Sequence, residues 1–286
     1  MKDIQALLQL LDLEPIEEHI FRGQSASIGS KRVFGGQVLA QALQSAIRTV
    51  PEDRFVHSLH AYFILPGDVA QPIIFEVDRI RDGGSFTTRR IKAIQKGRAI
   101  FNMSASFQKQ QEGFDHQISM PNVQPPDALM NWDDLLEQMG DRLPEGIRKF
   151  LEISHPIEFR PVERVHPMLS GKQQPIRHVW MKSKGAMPDQ VTAHQAVLAY
   201  ASDYNLLTTA LLPHGDQVSK TKIQMASLDH AMWFHRPFRA DEWLLYAIDS
   251  PSGSNARGFT RGSIFNQEGV LVASTVQEGL IRPVEG

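Results

Sequence analysis

The amino-acid sequence predicts an α+β protein built from two copies of one unit, each a long helix beside about five antiparallel strands. Three anchors recur at equal separations. Ser58 and Gln108 are 50 positions apart, as are Ser227 and Gln277, and a glycine-bearing turn lies 24 positions before the glutamine in both halves. Such matched separations indicate an internal repeat. In each half a helical pattern precedes four strand-like runs.

The elements of the first half follow from residue periodicity. Apolar residues from Ile4 to Leu11 have helical spacing and predict an N-terminal helix, since they do not form the continuous apolar core of a signal peptide. The run HIFRG is a strand candidate. A second helical pattern occupies 39–50 and ends before Pro51. Four runs bounded by turn signals then predict strands: VHSLHAYFI, PIIFEVDRI, SFTTRRIKAIQ and AIFNMSASFQ.

The second half repeats this order. RHVWMKS is a strand candidate, and a helix is predicted over 193–212, where Pro213 stops it. The strand-like runs that follow are QMASLDHAMWF, EWLLYAID, ARGFTRGSIFN and GVLVASTVQEGLI. Polar, proline-bearing sequence with one or two short helices separates the halves. We therefore expect an N-terminal domain at 1–108, a linker or strap at 109–157 and a C-terminal domain at 158–286.

The composition excludes several classes of function. The 286 residues contain 30 Lys and Arg against 32 Asp and Glu, with no basic run, so binding to nucleic acid or to an anionic membrane is not indicated. Cysteine is absent, which excludes disulfides, thiol catalysis and thiolate metal sites. No stretch reaches the roughly 18 apolar residues of a transmembrane helix. These observations predict a cytoplasmic protein.

The predicted helix of the second half carries a carboxylate in an apolar run. In VLAYASDYNLL, at 197–207, Asp203 is surrounded by residues that leave almost no polar face. A helix that is apolar nearly all round is normally enclosed, and an ionised carboxylate there is costly unless something pairs with it or uses it. An ungapped alignment of the two helices places Gln44 opposite Asp203, so only the second half has the carboxylate.

Asp203, Ser227 and Gln277 together suggest a site for a bound water. A helix lying on a curved sheet directs side chains toward the facing strands, and Ser227 and Gln277 fall on such strands. A carboxylate, a hydroxyl and a carboxamide that converge can hold a water by three hydrogen bonds. With the carboxylate ionised, that water is a positioned nucleophile for a carbonyl carbon. A purely structural, hydrogen-bonded Asp is the alternative interpretation.

Other motifs point to no further chemistry. The sequence has no G-x-S-x-G, H-E-x-x-H, G-x-x-x-x-G-K-[ST] or G-x-G-x-x-G motif. Two histidine pairs lie at spacings that place their members on opposite strand faces, which disfavours a metal site; they are His57 with His60 and His230 with His235. Gly35 and Gly36 at a helix start fit either backbone N–H groups open to an acyl oxygen or phosphate, or close helix–sheet packing.

Long stretches of the chain, in order, resemble the bacterial acyl-CoA thioesterase II family, the TesB-like double hot-dog enzymes. The resemblance covers essentially the whole chain, with the strap least distinctive. The stretches that carry it are FRGQSASIGSKRVFGGQVLAQAL, HSLHAYFILPGD, SFTTRRIKAIQKGRAIFNMSASFQ, YASDYNLL, LDHAMWFHRPFRADEWLLY and ARGFTRGSIFNQEGVLVASTVQEG.

The resemblance implies a tandem hot-dog fold, each half a long central helix wrapped by an antiparallel β-sheet. It implies hydrolysis of fatty acyl-CoA to free fatty acid and CoA, with no cofactor and no metal. The family's catalytic Asp, Thr or Ser, and Gln fall on Asp203, Ser227 and Gln277. Serine at a position that is often Thr loses the stiffness that β-branching gives at χ1. The resemblance also implies a homo-oligomer.

Positions for the substrate are expected at the mouth of an apolar tunnel between helix and sheet. The candidates are the backbone of Gly35 and Gly36, and for the CoA phosphates the cations Arg89, Arg90 and Arg257.

Two rival functions share this fold. A hot-dog enoyl-CoA hydratase needs an Asp–His pair in a G-D-x-N-P-x-H context, and the two G-D pairs here, in LPGDVAQP and PHGDQVSK, lack the His. A non-catalytic acyl-CoA sensor would keep the pocket without turnover, and the presence of Asp203 argues against it.

Overall fold

The computed structural model describes residues 3–30, 32–142, 145–163, 171–218 and 220–284. Its first half contains two helices and six strands. They are α1 (Ile4–Leu11), β1 (Glu14–Glu17), β2 (Ile20–Gly23), α2 (Gly35–Ile47), β3 (Arg54–Phe63), β4 (Ile73–Asp82), β5 (Phe86–Gln95) and β6 (Arg98–Lys109).

Two short helices follow, and the second half repeats the pattern with two additional short helices after its central helix. The elements are α3 (Trp132–Met139), α4 (Glu145–Leu151), β7 (Ile157–Pro161), β8 (Ile176–Ser183), α5 (Val191–Ser202), α6 (Leu206–Thr209), α7 (Gly215–Val218), β9 (Lys222–Ser227), β10 (Asp229–Phe234), β11 (Leu244–Ser254), β12 (Arg257–Asn266) and β13 (Leu271–Val284). No helix in the described ranges is long and apolar enough to cross a membrane.

The described strands form one sheet of 13 antiparallel strands, in the order β1-β2-β4-β5-β6-β3-β10-β13-β12-β11-β8-β7, with β9 also paired to β13. The halves join where β3 pairs with β10. Asp229 lies opposite Tyr62, and Ala231 lies opposite His60. With the spacing of the strand anchors, His60 is the equivalent of Asp229, and Tyr62 is the equivalent of Ala231. Each of the two pairs is therefore the equivalent of the other, so the strand register agrees with the repeat inferred from the sequence.

The helices α2 and α5 lie at the centre and are buried on nearly all sides. They pack against each other and against the concave face of the sheet. A helix enclosed in this way needs apolar residues around its whole circumference, which is the pattern that the sequence has in both halves. The core is continuous from one half to the other.

The prediction of one helix over 193–212 is wrong, because α5 ends at Ser202. Asp203 is its C-cap, and Asn205 has a left-handed backbone with φ of 66°. A left-handed residue cannot continue a right-handed helix, and Asn is one of the few residues that adopts this conformation readily. Asp203 therefore lies at a helix end and not within a helix.

The predicted strand QMASLDHAMWF is divided at Leu228. Ser227 pairs with Gly279 and Ala231 pairs with Val276 of the same strand β13, so the β9–β10 side contains one extra residue. This is a β-bulge, which bends a strand and redirects its side chains. The short strands β1 and β7 at the two edges were not predicted.

Gly36 allows a close approach of α2 to α5. A Cβ atom built there would lie 2.4 Å from the backbone oxygen of Tyr200. We expect Gly36→Ala to force the helices apart and to lower the free energy of unfolding by about 1–3 kcal/mol, the usual cost of overpacking. Denaturant unfolding measures this. Gly84→Ala is the matched control, because a Cβ there meets nothing within 4 Å; equal losses in the two variants would contradict the prediction.

Candidate active site

The C-terminal end of α5 meets the N-terminal end of α2 at Asp203. The Gly36 N–H donates a hydrogen bond of 2.9 Å to Asp203 Oδ2. The N-cap residue of α2, Phe34, contributes no side-chain cap, so a carboxylate from the other half of the chain satisfies one of the free N–H groups of that helix. The positive end of the α2 dipole also favours a negative charge at this place.

Two side chains from the sheet complete the surroundings of the carboxylate. Gln277 of β13 donates from Nε2 to Asp203 Oδ1 at 2.7 Å, and the hydroxyl of Ser227 donates to the same carboxylate. Ser227 ends β9 immediately before the bulge, and the bulge lies opposite the segment of β13 that carries Gln277. The structure thus brings together the three residues that the sequence selected.

The pKa of Asp203 is raised from its ordinary value of 3.8 to about 6. Burial is the largest cause, since it penalises the charged form. The hydrogen bonds from Gln277, Gly36 and Ser227 favour the anion and act in the opposite direction, but they do not outweigh burial. As a residue Asp203 keeps partial exposure, but its carboxylate is desolvated by its neighbours.

The aromatic hydroxyls near Asp203 do not titrate in the same range. Burial raises the pKa of Tyr200 to about 12, and it also raises the pKa values of Tyr204 and Tyr246 well above 10. Burial lowers the pKa of His230 to about 4. Asp203 is therefore the group in this cluster whose charge changes close to neutral pH.

An apolar cavity of about 270 Å³ opens beside the carboxylate, between α2 and the sheet. Gly35 and Ser227 both line it, and a Cβ atom on Gly35 would lie 2.7 Å from Asp203 Oδ2. The cavity therefore adjoins the site through Gly35 and Ser227, whereas Asp203 and Gln277 are not part of its lining. Its apolar wall comes mostly from these side chains: Val33, Val38, Phe63, Leu65, Ile100 and Phe101.

Gly35 and Gly36 have different roles in the structure. The N–H of Gly36 is already donated to Asp203, so its expected contact with an acyl oxygen or a phosphate is corrected to a contact with the carboxylate. The N–H of Gly35, at the first position of α2, has no acceptor among the described residues. Gly35 also lines the cavity, so it stays a candidate for substrate contact.

Among the described residues, none of the three candidate arginines forms a hydrogen bond or an ion pair with Asp203, Ser227 or Gln277. Arg89 is fully buried and bonds to Asp82, to Thr49 and to backbone oxygens. Because those contacts use its donors, it holds the first half together and is not open to a phosphate; that expectation is corrected. Arg90 pairs with Asp78 beside a different surface depression, and Arg257 pairs with Glu278.

The equivalent place in the first half lacks the carboxylate. Gln44 is the counterpart of Asp203. Gln195 is the counterpart of Gly36, the residue whose N–H is donated to Asp203. Gln195 extends its side chain across the space to donate to the Val56 backbone oxygen at 3.0 Å. Gln108, the counterpart of Gln277, bonds to Gln111 near the surface. The two halves are structurally alike and chemically unequal.

Sequence reasoning missed two buried residues next to this cluster. His230 Nε2 lies 3.0 Å from Ser202 Oγ, and His230 Nδ1 lies 3.4 Å from Gln277 Nε2. The sequence analysis considered His230 only together with His235, as a metal site that their spacing disfavours. A comparison of the two halves would have identified both residues. Their equivalents in the first half, which lacks the carboxylate, are the apolar residues Leu43 and Ala61.

Two family models match the chain. A model for acyl-CoA thioesterase matches residues 148–280, and one for the acyl-CoA thioesterase N-terminal domain matches residues 22–108. The chain is 42% identical to acyl-CoA thioesterase 2 of Haemophilus influenzae, with 99% of each chain covered. It is 41% identical to human acyl-coenzyme A thioesterase 8, over 98% of this chain and 90% of that protein.

Solved structures agree. The crystal structure of acyl-CoA thioesterase II TesB2 from Mycobacterium marinum superposes with a TM-score of 0.80 at 43% identity, over 98% of this chain and 99% of that one. A hot-dog protein from Alicyclobacillus acidocaldarius, 18% identical, superposes with a TM-score of 0.77 over 98% and 99%. The fold is therefore a tandem hot-dog, as the resemblance implied.

The raised pKa of Asp203 predicts a pH-dependent stability difference from Asp203→Asn. The folded-state pKa of about 6 exceeds the ordinary value of 3.8, so the folded protein binds this proton more tightly than the unfolded chain. The contribution of Asp203 to the free energy of unfolding therefore rises as the pH falls from about 6 to about 4, whereas Asn does not titrate.

Denaturant unfolding of both proteins between about pH 7 and pH 4 measures this difference. We expect the stability of the Asn variant relative to wild type to be greatest above pH 6 and to decrease, by at most about 3 kcal/mol, toward pH 4. Any fixed cost of replacing the carboxylate cancels in this comparison. A difference that does not vary with pH would contradict the raised pKa.

Proposed function

The chain belongs to the acyl-CoA thioesterase family, and we propose that it hydrolyses fatty acyl-CoA to free fatty acid and CoA with a water molecule activated by Asp203. The observation that carries the proposal is a desolvated carboxylate, held by three hydrogen-bond donors, next to a mostly apolar cavity that Gly35 and Ser227 line. A base with a pKa near the working pH suits proton removal from water.

In the proposed reaction, water enters between Asp203 and the thioester carbonyl. Asp203 accepts one water proton while the water oxygen forms a bond to the carbonyl carbon. Gln277 Oε1 is buried without a hydrogen-bond partner among the described residues, and it supplies an acceptor for the second water proton. Ser227, whose own proton is donated to Asp203, keeps lone pairs toward the same space.

Charge that develops on the carbonyl oxygen needs a donor, and the Gly35 N–H is suited to this role. It is free of other acceptors in the described structure, it borders the cavity, and it belongs to the positive end of α2. When the C–S bond breaks, the proton held by Asp203 passes to the departing thiolate of CoA. The carboxylate is thereby regenerated, and the fatty acid carries one oxygen from water.

The residues that line the cavity indicate which class of substrate it accepts. Its apolar wall suits an acyl chain, and Arg32 is an exposed cation in the same lining. We assign to Arg32 the phosphate contact that was expected from Arg89. Arg90 and Arg257, both in surface ion pairs, stay weaker candidates for that contact.

Homo-oligomerisation and a cytoplasmic location are also part of the proposal. The outer face of the sheet exposes large apolar side chains, among them Tyr62 at 66% and Phe86 at 43%. Exposed apolar surface on a sheet is typical of a protein contact, and the self-association implied by the family resemblance would cover it.

Asp203→Asn tests the identity of the base. Asn keeps the shape of the side chain but removes its basicity. Because general-base catalysis contributes typically about 10²- to 10⁴-fold, we expect kcat for acyl-CoA to fall at least about a hundredfold. Affinity for CoA product should persist, since neither the cavity wall nor the exposed cations change. Steady-state kinetics and calorimetric titration with CoA measure the two quantities.

The matched control is Gln44→Ala, at the equivalent place in the first half. A carboxamide cannot remove a proton from water, so its loss should leave kcat within a few-fold of wild type. If Gln44→Ala in a folded protein is as damaging as Asp203→Asn, the assignment of a single base in the second half is wrong.

The route is tested with labelled solvent. Direct attack by water predicts that a single turnover in ¹⁸O-water places the label in the fatty acid and none in the protein. A covalent anhydride on Asp203 would place label in its carboxylate when water attacks the Asp side of the anhydride. Mass spectrometry of the fatty acid and of the Asp203 peptide measures the label at both positions, and label in the peptide would exclude direct attack.

A further inference from the structure

His230 lies behind the proposed site, out of contact with solvent. Its exposed fraction is 0%, as is that of Ser202 and Gln277. His230 Nε2 lies 3.0 Å from Ser202 Oγ, and His230 Nδ1 lies 3.4 Å from Gln277 Nε2. The imidazole thus bridges the end of α5 and the strand β13, the two elements that carry Asp203 and Gln277.

The directions of these hydrogen bonds follow from proton count. Ser202 Oγ donates its single proton to the Ala199 backbone oxygen at 2.9 Å, so it must accept from His230. The imidazole proton is therefore on Nε2, and the neutral ring presents a lone pair at Nδ1. Burial lowers the pKa of His230 to about 4, which keeps the ring neutral near neutral pH.

Two acceptors, the Asp203 carboxylate and the lone pair at His230 Nδ1, define the orientation of the Gln277 amide. An ionised Asp203 only accepts hydrogen bonds, so the Gln277 nitrogen must face it, at 2.7 Å. The second hydrogen of that nitrogen is the one that meets His230 Nδ1. Both amide hydrogens are then used, and the unpartnered oxygen Oε1 is directed to the remaining side, where the water is proposed to bind.

The comparison of the two halves shows that this arrangement accompanies the carboxylate. In the first half the counterparts of Ser202, Asp203 and His230 are Leu43, Gln44 and Ala61. The counterpart of Gln277 is conserved between the halves as Gln108, but without a histidine it bonds to Gln111 near the surface. The histidine and the carboxylate therefore occur together in the second half, and both are absent from the equivalent positions of the first half.

We propose that His230, with its tautomer set by Ser202, is a positioning residue that holds the amide of Gln277 in the orientation required for water activation. The inference rests on the proposed function of Asp203 and deepens it. His230 does not touch substrate and acts through Gln277.

The need for such a residue arises during the catalytic cycle. Once Asp203 has taken a proton from water, its carboxyl can donate, and Gln277 could turn its oxygen toward it. That reversal would withdraw Oε1 from the water and would place an oxygen lone pair against the lone pair of Nδ1. His230 makes the reversed state unfavourable, so each cycle begins with the amide in the same orientation.

The test compares His230→Leu, which removes the acceptor, with His230→Asn, which keeps an oxygen acceptor near the position of Nδ1. We expect His230→Leu to lower kcat about 10- to 100-fold, the scale of a misplaced catalytic contact, with KM unchanged. His230→Asn should recover most of that loss. A purely structural role predicts no such rescue, because Asn fills the buried space less well than Leu.

The pH–rate profile is the second measurement. The hydrogen bond from Gln277 lowers the pKa of Asp203, so releasing Gln277 should move the acid limb of kcat to higher pH in His230→Leu and leave it in place in His230→Asn. A folded His230→Leu protein with kcat within threefold of wild type and an unmoved acid limb overturns the inference.

Two further variants keep the outcomes separable. If His230→Leu does not fold, Ser202→Ala decides, because it removes the acceptor that sets the tautomer; an unchanged kcat and an unchanged acid limb would overturn the inference. Asp203→Asn measured in parallel tests the proposed function itself. Loss of activity there with wild-type behaviour of His230→Leu contradicts only the role of His230, whereas an active Asp203→Asn contradicts the proposed function.

Discussion

The hydrogen bond from the Gly36 N–H to Asp203 is the contact on which the organisation of the site depends. It joins the start of one central helix to the end of the other across 167 positions of sequence. The same contact supplies an N-terminal cap to α2 and a donor to the carboxylate. It therefore joins the two halves and also stabilises the charge of Asp203. Only glycine permits it, since a Cβ at Gly36 would overlap the backbone of α5. Neither half alone contains a complete site.

The chemistry of the carboxylate is a balance between burial and hydrogen bonding. Three donors would by themselves produce a strongly acidic Asp, and a desolvated Asp without donors would stay protonated at neutral pH. Together they leave the pKa near 6, where the group is ionised at neutral pH and still basic. The first half has the same helix and sheet, but it replaces the carboxylate with Gln44 and fills the gap with Gln195. The two halves thus share one framework, and differences at a few positions give only one of the two places a carboxylate.

Local patterns predicted most of the fold, and long-range contacts account for what they missed. The helix and strand periods, together with the equal spacing of the strand anchors, placed the elements of both halves and selected Asp203 as an unusual residue. The end of α5 at Ser202 depends on the left-handed Asn205, which has no periodic signal. The burial of Arg89 depends on Thr49 and Asp82, and neither partner can be inferred from the arginine itself. The role of Gly36 could not be predicted, because the sequence does not show that the two helices meet end to end.

Serine at position 227, where the family resemblance led us to expect that Thr is frequent, is explained by the contacts that the hydroxyl makes. A Thr side chain is oriented by its own restricted χ1. Ser227 is instead oriented by its acceptor, because its proton is donated to Asp203 and its backbone is fixed at the end of β9 beside the bulge. Ionisation of Asp203 strengthens that bond, since hydrogen bonds to charged groups are shorter and stronger than neutral ones. The hydroxyl is therefore held most firmly when Asp203 is ionised, which is the state that the proposed reaction requires.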